Sequence, residues 1–159
     1  MIARIEKRNL PDCLTVIQRS FRTVAEDFGF TRENCPGHTS FMTLERLGRD
    51  YDFGNPMFAY QADGRTVGFV ALRPYEDERC EMKQLCVLPE YRREGIGRRL
   101  VGHAKRVASE ELGKRRLTVG IIEEDAPLRA WYLCLGFVPA GVEKFPHLPF
   151  TVGFMEMTL

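Results

Sequence analysis

Pro89-Glu90-Tyr91-Arg92-Arg93-Glu94-Gly95-Ile96-Gly97-Arg98-Arg99-Leu100 joins a strand pattern to a helix pattern. Cys80 to Leu88 alternates ahead of it as a strand, and Pro89 ends that strand. Behind it, Ile96, Leu100, Ala104, Val107, Ala108 and Leu112 recur on one helical face until Gly113 stops the run. A strand therefore enters a long amphipathic helix through two glycines. The first turn of a helix leaves four N–H groups unpaired and carries about half a positive charge. Ser, Thr, Asp or Asn usually caps those donors, and none stands between Pro89 and Leu100. The donors are left for an anion, which Gly95 and Gly97 let approach the backbone and Arg92, Arg93, Arg98 and Arg99 attract. The plain alternative is a tight turn with a solvated basic face. The P-loop pattern is absent, and a dinucleotide fingerprint needs glycine where Leu100 stands.

Outward from this turn, the pattern predicts strands at Met1–Ile5, Met57–Gln61, Thr66–Arg73, Leu117–Ile122, Phe137–Lys144 and Phe150–Met157. Helices are predicted after an Asn9 cap (Leu14, Ile17, Phe21, Val24), around Phe41–Leu47 and over Ala126–Leu135. Asp63-Gly64 is a strong hairpin signal. The order β-α-α-β-β-β-α-β-α-β-β describes a mixed α/β domain spanning residues 1–159. Apolar residues on both faces of the last strand predict that it is central or paired. A homodimer is a further expectation.

The chain has 159 residues, 44% hydrophobic and 28% charged, with a net charge of +1, so a sizeable core is expected. Near-neutral charge argues against nucleic acid or an anionic membrane as main partner. Charges interrupt the apolar N-terminal residues, so neither a signal peptide nor a membrane span is expected. Cys13, Cys35, Cys80, Cys86 and Cys134 are odd in number and form no C-x-x-C pair. That usage fits a reducing cytoplasm better than a disulfide or zinc framework. His38, His103 and His147 are too scattered for a local ligand motif, and no metal is expected.

Arg92-Arg93-Glu94-Gly95-Ile96-Gly97 fits the Arg/Gln-x-x-Gly-x-Gly/Ala signature of the GNAT superfamily of N-acetyltransferases, and Leu85 to Arg92 resembles the strand leading into it. Asp125-Ala126-Pro127-Leu128-Arg129-Ala130-Trp131-Tyr132 through Leu135-Gly136-Phe137 is similar to the family's second block, with Asp125 where Asn is usual. The resemblance implies a central, mostly antiparallel sheet flanked by helices and splayed between the fourth and fifth strands. It also implies acetyl-CoA as co-substrate and transfer of its acetyl group to a primary amine, of a small molecule or of a peptide or protein, by direct attack in a ternary complex. The implied CoA site comprises Leu85, Cys86, Val87, Arg92, Arg93, Glu94, Gly95, Ile96, Gly97, Arg98, Asp125 and Leu128. Backbone groups of Leu85 and Val87 would pair with the pantetheine amides as an added strand. An ionised Asp125 accepts but does not donate, unlike the amide usual at that position.

An alkylamine with a lysine-like pKa is mostly protonated at pH 7, a handicap of roughly 4–5 kcal/mol, so a base is needed. By the resemblance, Glu81, on the strand before Leu85 where many relatives place a carboxylate near the splay, is the candidate, directly or through water; a surface pair with Lys83 is the plain alternative. Alternation places Glu81, Lys83, Leu85 and Val87 on one face and Cys80, Met82, Gln84 and Cys86 on the other. By the resemblance, Tyr132 is the general acid near the CoA sulfur, against a plain reading as packing beside Trp131. The resemblance also implies an acceptor pocket lined by the first two helices and the loop between the last two strands, regions that hold Phe21, Glu26, Phe28, His38, Phe145, His147 and Phe150. Of these, Phe28, His38 and His147 are the acceptor-binding candidates, though His38 also reads as a loop hydrogen-bonder. A non-catalytic acyl-CoA-binding module is the competing function.

Overall fold

The computed structural model describes residues 1–159. Its elements are β1 (Ile2–Arg4), α1 (Leu10–Phe28), α2 (Leu44–Asp52), β2 (Met57–Ala62), β3 (Arg65–Pro74), β4 (Arg79–Val87), α3 (Ile96–Arg106), β5 (Arg116–Ile122), α4 (Ala126–Cys134), β6 (Val138–Lys144) and β7 (Thr151–Thr158). The order matches the one predicted from the sequence. Seven strands form one sheet in the order β1-β2-β3-β4-β5-β7-β6, and every neighbouring pair is antiparallel except β4 and β5. β7 lies between β5 and β6, which accounts for its two apolar faces.

Local chemistry explains most element boundaries. Asp63 and Gly64 both take positive φ, 51° and 71°, the backbone twist that a two-residue hairpin between β2 and β3 requires. α1 ends at Gly29, a left-handed cap whose N–H donates to Ala25 O. Asn9 stands at the predicted start of α1 but does not cap it; its Oδ1 instead accepts from the Glu6 N–H at 3.0 Å, tightening the turn before the helix. α3 buries Ile96, Leu100, Val101 and Ala104, then widens into a single π turn over Val107–Glu111.

β4 departs from the simple alternation expected of it. Phe69 and Ala71 are two apart on β3, yet their partners Cys86 and Lys83 are three apart on β4. The extra residue is a bulge, and Gln84 takes φ 48° in it. Partners across a ladder share a face, so Glu81, Lys83 and Cys86 lie on one face and Met82 and Val87 on the other. The predicted grouping of Val87 with Glu81 is thus corrected. Cys86 sits against Ser20 and Cys13, so its face is the one α1 covers. Val87 approaches Gly97, and Gly68 approaches Leu100, so the other face belongs to α3. Trp131 brings α4 to that same side.

Candidate active site

β4 and β5 pair over only three residues, Arg79↔Arg116, Cys80↔Leu117 and Glu81↔Thr118, and then part. Met82 to Val87 and Val119 to Ile122 become the walls of a slot through the sheet. A cavity of about 800 Å³ occupies it, running from the turn before α3 to the underside of α1.

At the first end, Arg93 (φ 66°) and Gly95 (φ 80°) both take left-handed backbone on either side of Glu94. Such a turn gathers successive N–H groups into a concavity. The backbone N–H groups of Arg93, Glu94, Gly95, Ile96, Gly97 and Arg98 find no acceptor in the chain, and no side chain caps α3. No acidic residue stands in its first turn. This is an anion site by backbone geometry.

The arginines around it divide. Arg92 turns back on the fold: Nε donates to Val87 O at 3.0 Å, Nη1 to Thr23 Oγ1 at 3.1 Å and Nη2 to Ser20 O at 2.9 Å. Arg99 donates to the Tyr60 hydroxyl at 2.6 Å. The expectation that all four arginines serve the anion is corrected, because these two have structural partners elsewhere. Arg93 and Arg98 remain exposed, line the cavity and enter no ion pair. The glycines divide too. A Cβ on Gly97 would stand 3.3 and 3.4 Å from two Trp131 ring atoms, so α4 packs closely over this glycine and a larger residue would press on the indole. Gly95 has open space and serves by its positive φ.

Leu85, Cys86 and Val87 line the slot, although the Val87 carbonyl already accepts from Arg92. Asp125 caps α4, its Oδ1 accepting from the Leu128 N–H at 3.2 Å, and both residues line the cavity. That carboxylate therefore needs no donor capacity for its local role.

Tyr132 is 4% exposed and packs edge-on against Trp131 and Phe137 at centroid distances of 5.0 and 5.2 Å. Its side chain also lines the cavity, and its hydroxyl makes no hydrogen bond within the chain. Burial pushes its pKa well above the ordinary phenol value, so it stays protonated. Glu81 lies on the α1 face in the last rung before the strands part, lines the cavity and makes no ion pair with Lys83. Tyr132 and Glu81 thus reach the slot from its α4 and α1 sides.

At the far end, Ser20, Phe21 and Val24 of α1, His38, and Phe145 and Phe150 of the β6–β7 connection close the cavity. His38 Nδ1 accepts from the Ser40 N–H at 3.2 Å and lies 2.7 Å from Ser40 Oγ, while burial lowers the ring's pKa. Two of the three acceptor-binding candidates fall outside the cavity lining. Phe28 stacks on Phe30 at 5.7 Å beneath the following loop, and His147 is an exposed turn residue beside Phe145. Neither contributes to the cavity wall. Sequence reasoning missed Arg46, which enters from α2, and Gln84, whose Oε1 is buried without a partner beside the slot. A lone arginine on a polar helix carries no signal of this kind, and nothing marked the bulge.

No group of three His, Cys, Asp or Glu side chains converges as metal ligands, the five cysteines are free thiols, and no helix is long and apolar enough to cross a membrane.

A split sheet with an uncapped helix start at its mouth defines a class of acyl-transfer enzymes. The chain belongs to the acetyltransferase (GNAT) family, whose model matches residues 20–137, and it is an acyltransferase. An uncharacterised N-acetyltransferase of Archaeoglobus fulgidus is 36% identical over 115 residues, 69% of this chain and 74% of that one. Mycothiol acetyltransferase of Rothia mucilaginosa is 31% identical over 105 residues, 62% of this chain but 30% of that enzyme. The fold is shared with the PaiA N-acetyltransferase of Thermoplasma acidophilum, solved with coenzyme A, at a TM-score of 0.80, 17% identity and coverage of 100% and 98%. It is likewise shared with the ribosomal-protein-S18-alanine N-acetyltransferase of Escherichia coli, at a TM-score of 0.77, 18% identity and coverage of 99% and 92%.

Proposed function

We propose that residues 1–159 act as one N-acetyltransferase domain that passes the acetyl group of acetyl-CoA to a primary amine within a ternary complex. The observation that carries this reading is the run of six N–H groups from Arg93 to Arg98 without an acceptor, at the mouth of the slot. A diphosphate fits these donors, with Arg93 and Arg98 adding charge. Leu85 and Val87 of β4 are the backbone partners proposed for the pantetheine amides. Acetyl-CoA supplies a thioester, whose carbonyl carbon is the electrophile.

Glu81 takes the proton that a primary amine must lose to become a nucleophile, directly or through a water. Tyr132 holds a hydrogen-bond donor at the departing sulfur. Its raised pKa makes it a persistent donor and a reluctant acid, so its contribution is mainly electrostatic. Cys86 is the only thiol on the cavity wall, and burial pushes it up to about 12. A thiol so rarely ionised is a poor nucleophile, which favours direct transfer over an acetyl-cysteine intermediate.

Calorimetry with acetyl-CoA, followed by thiol release across an amine panel, tests the reading. Intersecting initial-rate lines are expected for a ternary complex. Binding without turnover would identify a non-catalytic acyl-CoA-binding module, and no binding would end the assignment.

A further inference from the structure

The charges at the acceptor end point to a chemical class of amine, an inference that rests on the acetyl-transfer reading above. Glu81 and Lys83 share the α1 face of β4, where α1 and the His38 segment close the cavity. Arg46 joins them from α2, its Nη1 donating to the carbonyl of Gly37, next to His38. Arg46 and Lys83 are each half-buried, and neither enters an ion pair. The other cavity-lining carboxylate, Asp125, is occupied as the cap of α4. Two cations therefore face one carboxylate, and a half-buried charge without a counter-ion is costly to maintain unless something pairs with it.

His38 adds a third donor. Its Nδ1 accepts the backbone N–H of Ser40, and only an unprotonated nitrogen accepts. In the neutral ring the proton is then on Nε2, which has no partner in the chain while the residue lines the cavity. In this tautomer His38 is a donor and not a base. The remaining wall is apolar, from Phe21, Val24, Phe145 and Phe150.

We propose that the acceptor is a small amine that also carries a carboxylate, of the amino-acid class, with its amine at Glu81 and its carboxylate shared by Arg46, Lys83 and the His38 Nε2–H. A polyamine would bring further positive charge against Arg46 and Lys83. A peptide α-amine offers a neutral amide where the carboxylate belongs.

Phenylalanine, leucine and methionine, each assayed against its own amide, with spermidine as the polycation, test this by thiol release at saturating acetyl-CoA. The amides have less basic amines and hold more free base at neutral pH, so chemistry alone favours them. The expected result is a kcat/KM at least about tenfold higher for the acid in the best pair, the size of one charge-assisted contact. Arg46→Gln and Lys83→Gln, on separate elements and each checked for folding by its acetyl-CoA Kd, should each cut that ratio about fivefold or more, mainly through KM. Amides or spermidine turning over as well as the acids, in every pair, overturn the inference while leaving acetyl transfer standing. Acetyl-CoA binding without turnover of any acceptor overturns this inference and the enzymatic reading together.

Discussion

Arg92 lies inside the family signature, yet its guanidinium is spent on the fold. Its three bonds, at 3.0, 3.1 and 2.9 Å, tie the end of β4 to α1 through Val87 O, Thr23 Oγ1 and Ser20 O. Replacing it with alanine deletes all three while water reaches part of the site, because the residue is exposed. At about 1 kcal/mol per bond, the loss is about 2–3 kcal/mol. For a chain of this size that lowers Tm by roughly 4–12 °C. A phosphate ligand would behave differently: its removal would weaken CoA binding steeply and flatten the salt dependence, since one screened charge pair is gone. The assay is thermal unfolding by circular dichroism beside calorimetric CoA titration at about 50 and 500 mM salt, a range over which screening changes severalfold. Arg92→Ala should unfold earlier and keep the wild-type salt slope, whereas Arg98→Ala should keep its Tm and lose slope. An Arg92→Ala protein with unchanged Tm, weakened CoA binding and a flattened slope would refute the clamp.

Tyr132→Phe removes a hydroxyl that has no partner in the chain, so Tm should hold within about 1–2 °C while kcat falls about tenfold or more, read by thiol release. Unchanged kcat would return Tyr132 to plain packing. Glu81→Gln should lower kcat/KM for an alkylamine about 10²-fold at neutral pH and recover as pH rises, because free amine then forms without help; a pH-independent deficit would argue against its role as base. Stability should fall as the medium is acidified below pH 6.5, measured by denaturant titration. Burial lowers the His38 pKa, so between the folded value and the unfolded value near 6.5 the unfolded chain binds more protons, and stability rises with pH across that window. His103 is depressed in the same direction, by burial and by Arg106. His38→Gln should therefore flatten the curve only in part, and an unaltered curve would mean that His38 does not titrate differently on folding.

The parts of this protein that the sequence made legible are those written in neighbouring residues. The Asp63-Gly64 hairpin, the stop at Gly113 and the uncapped start of α3 each depend on a few consecutive side chains and their φ values. What escaped was decided by residues distant in the chain. Arg92 reads as a phosphate ligand until α1 is placed beneath it, and the second constraint on Gly97, its packing under Trp131, comes from a residue 34 positions later. The β4 bulge contains no glycine to announce it, so simple alternation put Val87 on the wrong face. For His147 and Phe28 the sequence specifies only a region, and a region does not say which way a loop turns. Arg46 was invisible because its meaning lies in the absence of a counter-ion, a property of the folded surroundings.

The slot itself follows from pairing on its outer sides. β5 is bound to β7 along seven rungs, from Arg116↔Thr158 to Ile122↔Val152, and β4 follows β3 as far as Val87↔Gly68. Each strand is therefore held rigid by its outer neighbour, and the two diverge as parts of two separately twisted halves. The bulge at Gln84 bends β4 further at the point where no partner constrains it. Polar backbone along both inner edges is left without the ladder that strands normally form. A sheet built for stability alone would close that gap, so the unpaired edge and the unpaired N–H groups at its mouth have the same origin. Both are hydrogen-bonding capacity withheld from the fold and held in place for something the chain does not contain, and an extended ligand ending in a diphosphate matches both in one stroke.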